Sequence, residues 1–148
     1  MNGTIESVWD TNAVIEWLQG DARVRGFVKE RGFETGVAIS QITRMELLAR
    51  PGLTEDDLRG ITTFLVGSTV VQITPDVERH AIDLRRSFRV KLPDAIIAAT
   101  AETLRCPLVT ADRELERKVS SRVNVLNPHT PTLDTNGDEQ KSGDNSVS

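Results

Sequence analysis

Ile5-Glu6-Ser7-Val8-Trp9-Asp10-Thr11-Asn12 reads as a short strand that ends on an aspartate and hands over to a helix. The same handover recurs along the chain. Gly36 to Ser40 is strand-like and leads into a helix from Gln41 to Arg50, with Glu46 in Ile42-Thr43-Arg44-Met45-Glu46-Leu47-Leu48. Pro93 opens a helix in Leu92-Pro93-Asp94-Ala95-Ile96-Ile97-Ala98-Ala99, so Asp94 falls in its first turn. Leu108-Val109-Thr110-Ala111-Asp112-Arg113 passes from strand to helix at Asp112. Strands separated by helices imply parallel pairing, with helices on both faces of the sheet. The expected fold class is α/β, three layers around a twisted parallel sheet of about five strands. In such a sheet the handover points line one edge, and ligands bind in the crevice along it.

The remaining segments fit this frame. Ala13 to Gln19 is helical and closed by Gly20, and Asp21 starts a second helix that Gly32 ends. Thr54 with Asp57 caps a helix that carries Leu58, Ile61 and Leu65 on one face. Thr69 to Ile73 is a β-branched strand. Thr74-Pro75 opens the longest helix, whose apolar stripe is Val77, Ala81, Leu84 and Phe88. Pro107 to Thr110 is a strand, Asp112 to Val119 a helix, and Arg122 to Leu126 a last strand. This body, residues 1–128, is read as one domain. Residues 129–148, opened by His129, are mostly Thr, Pro, Asp, Asn, Gly and Ser. Such a stretch buries too little surface to offset its ordering entropy, and it is expected to be a disordered acidic tail.

Composition excludes several classes. Hydrophobic content of 38% can build a core, and 27% charged residues suit a soluble surface. Aromatics are 4% with no Tyr, which disfavours a stacking platform for bases. No apolar run is long enough to span a bilayer, and the first residues carry neither the positive charge nor the apolar stretch of a secretory signal. Cys106 is the only cysteine, so an internal disulfide is impossible, which fits a reducing cytoplasm. The net charge of -4 is uneven: the tail from His129 carries -3 and the body -1. If four body acids bind metal, the rest of the body is net positive, so the acidic pI does not exclude a nucleic-acid substrate.

Taken singly, each acid has a structural role open to it. Asp10 can start a turn, Thr43-x-x-Glu46 matches a capping box, Asp94 suits a helix dipole, and Asp112 can cap its own helix. As a set they point to chemistry. Two carboxylates roughly 4 Å apart repel by about 4 kcal/mol at an effective dielectric near 20. A divalent cation removes that penalty, and oxygen ligands favour Mg²⁺ or Mn²⁺. The two histidines are His80, on the long helix, and His129; with one cysteine, they leave no zinc site.

Asp10-Thr11-Asn12, Glu46-Leu47-Leu48, Leu92-Pro93-Asp94-Ala95-Ile96-Ile97-Ala98-Ala99-Thr100-Ala101 and Leu108-Val109-Thr110-Ala111-Asp112 resemble, in that order, the motifs of the PIN-domain nucleases. Length and spacing are most similar to the VapC toxins of toxin–antitoxin pairs, from about Ile5 to Pro128. The resemblance implies a PIN-like fold and an acidic quartet of Asp10, Glu46, Asp94 and Asp112. Asp10 and Asp94 would be direct metal ligands, Glu46 would ligate through water or position the attacking water, and Asp112 is the position where the family varies most. Thr110 lies near the same edge, where its hydroxyl can hold a ligand carboxylate or a water from behind, or equally well cap the next helix. Trp9 is bulkier than the aliphatic residue the family usually places before the first Asp.

The implied activity is Mg²⁺- or Mn²⁺-dependent endonucleolytic hydrolysis of RNA, as the toxin of a VapBC-type pair. The implied partners are an RNA substrate, a cognate antitoxin and a second copy of the chain as a homodimer. Arg85, Arg86, Arg89 and Lys91 lead into Pro93-Asp94 and are candidate phosphate contacts, or equally a solvated helix face with cations at the C-terminal dipole; Arg113, Arg117 and Lys118 follow Asp112 and read better as a solvated face. Nothing in the sequence fixes the direction of Arg44. Alternatives are a PIN nuclease of RNA processing or decay and an inactive PIN-like scaffold, which would normally have lost an acid. An aspartyl-phosphate phosphatase would want Asp-x-Asp at the first strand, where Asn12 stands here.

Overall fold

The computed structural model describes residues 3–130, so the expected disordered tail lies, from 131 onward, outside the described residues. The elements are β1 (Ser7–Trp9), α1 (Thr11–Leu18), α2 (Ala22–Arg31), β2 (Val37–Ser40), α3 (Gln41–Leu48), α4 (Glu55–Val66), β3 (Thr69–Val71), α5 (Pro75–Phe88), α6 (Leu92–Leu104), β4 (Leu108–Val109), α7 (Arg113–Val119) and β5 (Val125–Leu126). The five strands form one sheet in the order β3-β2-β1-β4-β5, and every pairing is parallel.

Side-chain alternation along the strands separates two cores. Val8, Ala38 and Leu108 face one side, where they meet Val77, Ala81 and Leu84 of α5, the alanines of α6, and Leu115 of α7. Trp9, Ile39 and Val109, one residue further along, face the other side and meet Ala13, Val24, Leu47 and Ile61 of α1 to α4. The result is helices on both faces of an all-parallel sheet, with every residue of β1 and β4 buried. Trp9 fits because its bulk is shared: its ring lies 5.7 Å from those of Trp17 and Phe64, and its indole N–H donates to Ser7 Oγ at 3.0 Å.

The sequence signals set most helix ends. Asp21 caps α2, and Gly32 closes it in the left-handed region. Thr54 and Asp57 form a reciprocal capping box on α4, and Thr74 caps α5 ahead of Pro75. One expected alternative is not realised. Ser40 caps α3 by accepting from the Ile42 N–H at 3.1 Å, which places Thr43 inside the helix and removes the Thr43–Glu46 capping box. Every expected strand is shorter than drawn: Ile5 to Asp10 becomes Ser7–Trp9, Gly36 to Ser40 becomes Val37–Ser40, Thr69 to Ile73 becomes Thr69–Val71, Pro107 to Thr110 becomes Leu108–Val109, and Arg122 to Leu126 becomes Val125–Leu126. A strand persists only where a neighbouring strand continues its ladder, and here each ladder runs for two or three residue pairs.

The chain runs from β1 through β2 to β3 on one side, then returns to place β4 and β5 on the other. The order therefore reverses between β1 and β4. The crevice beyond the carboxyl ends of those two strands is where an open α/β sheet receives a ligand.

Candidate active site

Asp10 follows β1 at that reversal and is 6% exposed. It caps α1: the Ala13 N–H donates to Oδ1 at 2.8 Å. Its second oxygen accepts from Thr110 Oγ1 at 2.5 Å, across the gap between β1 and β4. Each oxygen keeps a further lone pair. Burial pushes the Asp10 carboxyl up from 3.8 to about 6; the bonds from Thr110 and Ala13 oppose this, while the charges of Asp94 and Asp112 add to it. Asp94, in the first turn of α6, is also raised, by burial first and then by Asp112 and Glu46, against relief from Lys91 and Lys118. Asp112 caps α7 through Oδ1, which accepts from the Glu114 and Leu115 N–H groups at 3.0 and 3.1 Å.

Glu46 enters from α3. Its Oε1 accepts from Thr11 Oγ1 at 2.5 Å. Thr110, besides holding Asp10, accepts from the Asp112 backbone N–H at 3.0 Å. One hydroxyl thus fixes the end of β4 to two of the acids.

All four acids line a single cleft of about 470 Å³, together with Thr11, Asn12, Ile15, Ala49, Arg50 and Ile97. Asp94 and Asp112 also border a smaller cleft of about 130 Å³, lined further by Arg89, Lys91, Glu114 and Lys118. The structure distributes the candidate cations unevenly. Arg89 and Lys91 lie at the smaller cleft, beside the acids. Arg85 turns back instead, and its guanidinium donates to the Val90 carbonyl at 2.7 Å. Arg86 is exposed and lines neither cleft, as are Arg44, Arg113 and Arg117. Lys118 reaches the site after all, donating to the Arg89 carbonyl at 3.2 Å and pairing with Glu114.

Sequence reasoning missed Arg50, which lines the main cleft, and the orienting hydroxyls of Thr11 and Thr43. A signal existed. Thr43 stands three residues before Glu46, a spacing that shares a helix face, and Arg50 follows directly on the end of that helix.

The donors of this cleft are carboxylates, and the buried Asp10 carries an ionisation penalty that a nearby cation would lift. The set therefore fits a hard divalent ion. Among the described residues, no three of the four acids bring oxygens within 4.8 Å of one another. That spacing suits an ion such as Mg²⁺, which is usually held by one or two carboxylates and keeps several waters. A separate grouping does meet the closer spacing: Glu16, Asp21 and His129. There His129 Nε2 lies 2.9 Å from Glu16 Oε1, and Asp21 caps α2. His129, the first residue of the expected tail, thus lies beside the α1–α2 region.

The fold and the cleft define an α/β protein with an all-carboxylate centre at a sheet switch point. The PIN domain family model matches residues 8–120, and the chain belongs to that family, which is one of nucleases. The chain is similar in structure to a toxin–antitoxin complex from Klebsiella pneumoniae, at 27% identity and TM-score 0.71, covering 84% of this chain and 98% of that one. DNA-bound VapBC from Salmonella typhimurium has 19% identity and TM-score 0.72, covering 84% of this chain and 99% of that one. FitAcB from Neisseria gonorrhoeae has 21% identity and TM-score 0.65, covering 84% and 99%. No curated protein matches the chain. Among the described residues, no helix is long and apolar enough to cross a membrane.

Proposed function

We propose that this PIN-domain protein is a divalent-metal-dependent endoribonuclease, Mg²⁺ or Mn²⁺ being the ion, and the toxin of a VapBC-type pair. The observation that carries the reading is the convergence of Asp10, Glu46, Asp94 and Asp112, from four separate handover points, on one cleft. The likeness to the Klebsiella pneumoniae toxin–antitoxin complex supports a cognate antitoxin as partner. A homodimer, an RNA substrate and a cytoplasmic location complete the proposal.

Asp10 and Asp94 would hold the ion directly. When bound, the ion supplies acidification of a water and neutralises charge on the phosphoryl oxygens. The protein's own part is positioning. Asp10 is locked by the Ala13 N–H and the Thr110 hydroxyl, so its free lone pairs have one direction. Glu46 keeps Oε2 for a water while Thr11 holds Oε1. Arg50 on the main cleft and Arg89 and Lys91 on the smaller one would receive phosphate oxygens. Among the described residues no Ser/His pair and no thiol lines the cleft, so hydrolysis proceeds without a protein-bound intermediate.

The test is cleavage of total RNA by the purified chain with Mg²⁺, with EDTA, and as Asp94→Asn, followed by mapping of new 5′ ends. Discrete cuts that need the ion and disappear in Asp94→Asn support the reading. Undiminished cutting by Asp94→Asn in EDTA would overturn it. Growth arrest on expression, relieved by the product of the neighbouring gene, separates a toxin from a nuclease of RNA processing or decay.

A further inference from the structure

Thr43 is fully buried in α3, one turn before Glu46. A buried helix threonine ordinarily donates back to the carbonyl four residues earlier, as Thr100 does to Ile96 at 2.8 Å. Thr43 has a different neighbour: its Oγ1 lies 3.1 Å from Thr11 Oγ1. Thr11 Oγ1 in turn lies 2.5 Å from Glu46 Oε1. Proton counting gives the bonds their direction. Ionised Glu46 can only accept, and the Thr11 hydroxyl carries one proton, so that proton goes to Glu46. The contact between the two threonines is then a hydrogen bond only if Thr43 donates to Thr11. Burial leaves the Thr43 hydroxyl no water as a substitute partner.

We propose that Thr43 is a positioning residue, which through the Thr11 hydroxyl holds the Glu46 carboxylate in one orientation toward the cleft. Thr43 touches neither substrate nor ion; it acts by fixing the rotor of Thr11. Without it the Thr11 hydroxyl is free to turn its proton away, and Glu46 loses its anchor to α1. The proposal rests on the nuclease reading for its consequence in catalysis, but the orienting chain is a property of the fold.

The test compares wild type with Thr43→Val, Thr43→Ser and Thr11→Val. Three readouts are taken: Mn²⁺ affinity by calorimetry, RNA cleavage resolved into kcat and KM, and thermal unfolding. Thr43→Val is nearly isosteric and keeps its melting temperature. It loses roughly 10-fold or more in kcat and in Mn²⁺ affinity, the usual scale for groups that orient metal-site ligands, with KM unchanged. Thr11→Val loses at least as much, and Thr43→Ser retains wild-type values. Equal behaviour of Thr43→Val and wild type in Mn²⁺ affinity and kcat overturns the proposal, as does equal loss in Thr43→Ser. If the wild type cuts no RNA, the nuclease reading fails on its own, and the Mn²⁺ affinities of the same variants still decide the role of Thr43.

Discussion

The hydroxyl of Thr110 donates to the carboxylate of Asp10 across the seam between β1 and β4. That bond favours the ionised acid and works against the burial that raises it. Thr110→Val removes the donor and leaves the burial. The acid limb of the cleavage–pH profile then moves to higher pH, and activity near neutrality falls by roughly 10- to 100-fold. Thr110→Ser keeps the profile in place. The pH–rate profiles of the three proteins check this.

Asp10 itself stores a stability cost. Its carboxyl is raised from 3.8 to about 6 in the folded, metal-free protein. Between those values the unfolded chain has lost the proton and the folded chain still holds it, so stability falls as pH rises through the window. At about 1.4 kcal/mol for each tenfold change in proton affinity, the full penalty is about 3 kcal/mol above pH 6. Metal-free protein is therefore less stable at pH 7 than at pH 5. Asp10→Asn, which keeps the cap on α1 but carries no charge, gains on the order of 1–3 kcal/mol at pH 7 while losing cleavage. Urea denaturation in EDTA at the two pH values measures both effects.

The legible part of this molecule is the part written in local signals. Asp21, Gly32, Thr54 and Thr74-Pro75 act within a turn of themselves, and each cap appears where the residues announce it. Strand-to-helix alternation, together with the motif resemblance, pointed to the parallel sheet and to the acids at its edge. The strand order is a long-range fact, and so is the reversal between β1 and β4 that sets Thr110 against Asp10. The direction of long side chains was illegible for the same reason. Arg85 stands next to Arg86 and four residues before Arg89, yet it spends its guanidinium on the Val90 carbonyl, because the left-handed turn at Arg89 brings that carbonyl back over α5. Lys118 read as a solvated residue because only the tertiary packing of α7 brings it over Arg89.

Arg50 is the cation on the main cleft, and Arg86 lies off both clefts. In an Asp94→Asn background, which binds without cutting, Arg50→Gln weakens binding of a single-stranded RNA and lowers the salt slope by about 0.7, the expectation for one lost phosphate contact. Arg86→Gln changes neither. Fluorescence anisotropy across a salt series separates them, and equal effects from the two variants would count against Arg50 as a phosphate contact.

Arg122 has no part in the cleft and should test stability alone. It sits in the turn between α7 and β5, where its Nε and Nη2 atoms donate to the two oxygens of Glu102 on α6 at 2.8 and 2.9 Å. Its Nη1 reaches Asp83 on α5 at 2.9 Å. Burial pushes the Glu102 carboxyl up, but the bonds from Arg122 and His80 win and hold it below the ordinary range. A depressed acid contributes stability that is present above its unfolded value and is lost as pH falls through the folded one. Arg122→Met keeps much of the side-chain volume, removes the fork, and leaves a largely buried Glu102 with His80 as its remaining partner. The expected cost is about 1–3 kcal/mol at pH 7, the scale of hydrogen bonds to a charged group. The gap between wild type and variant narrows in acid, as pH falls below the ordinary carboxylate range and through the depressed value of Glu102. Arg122→Lys recovers little, since a single ammonium cannot match two carboxylate oxygens side by side. Chemical denaturation at pH 7 and pH 3.5 reads the difference, and a gap that stays constant across that range would place the contribution in packing against Phe88 instead.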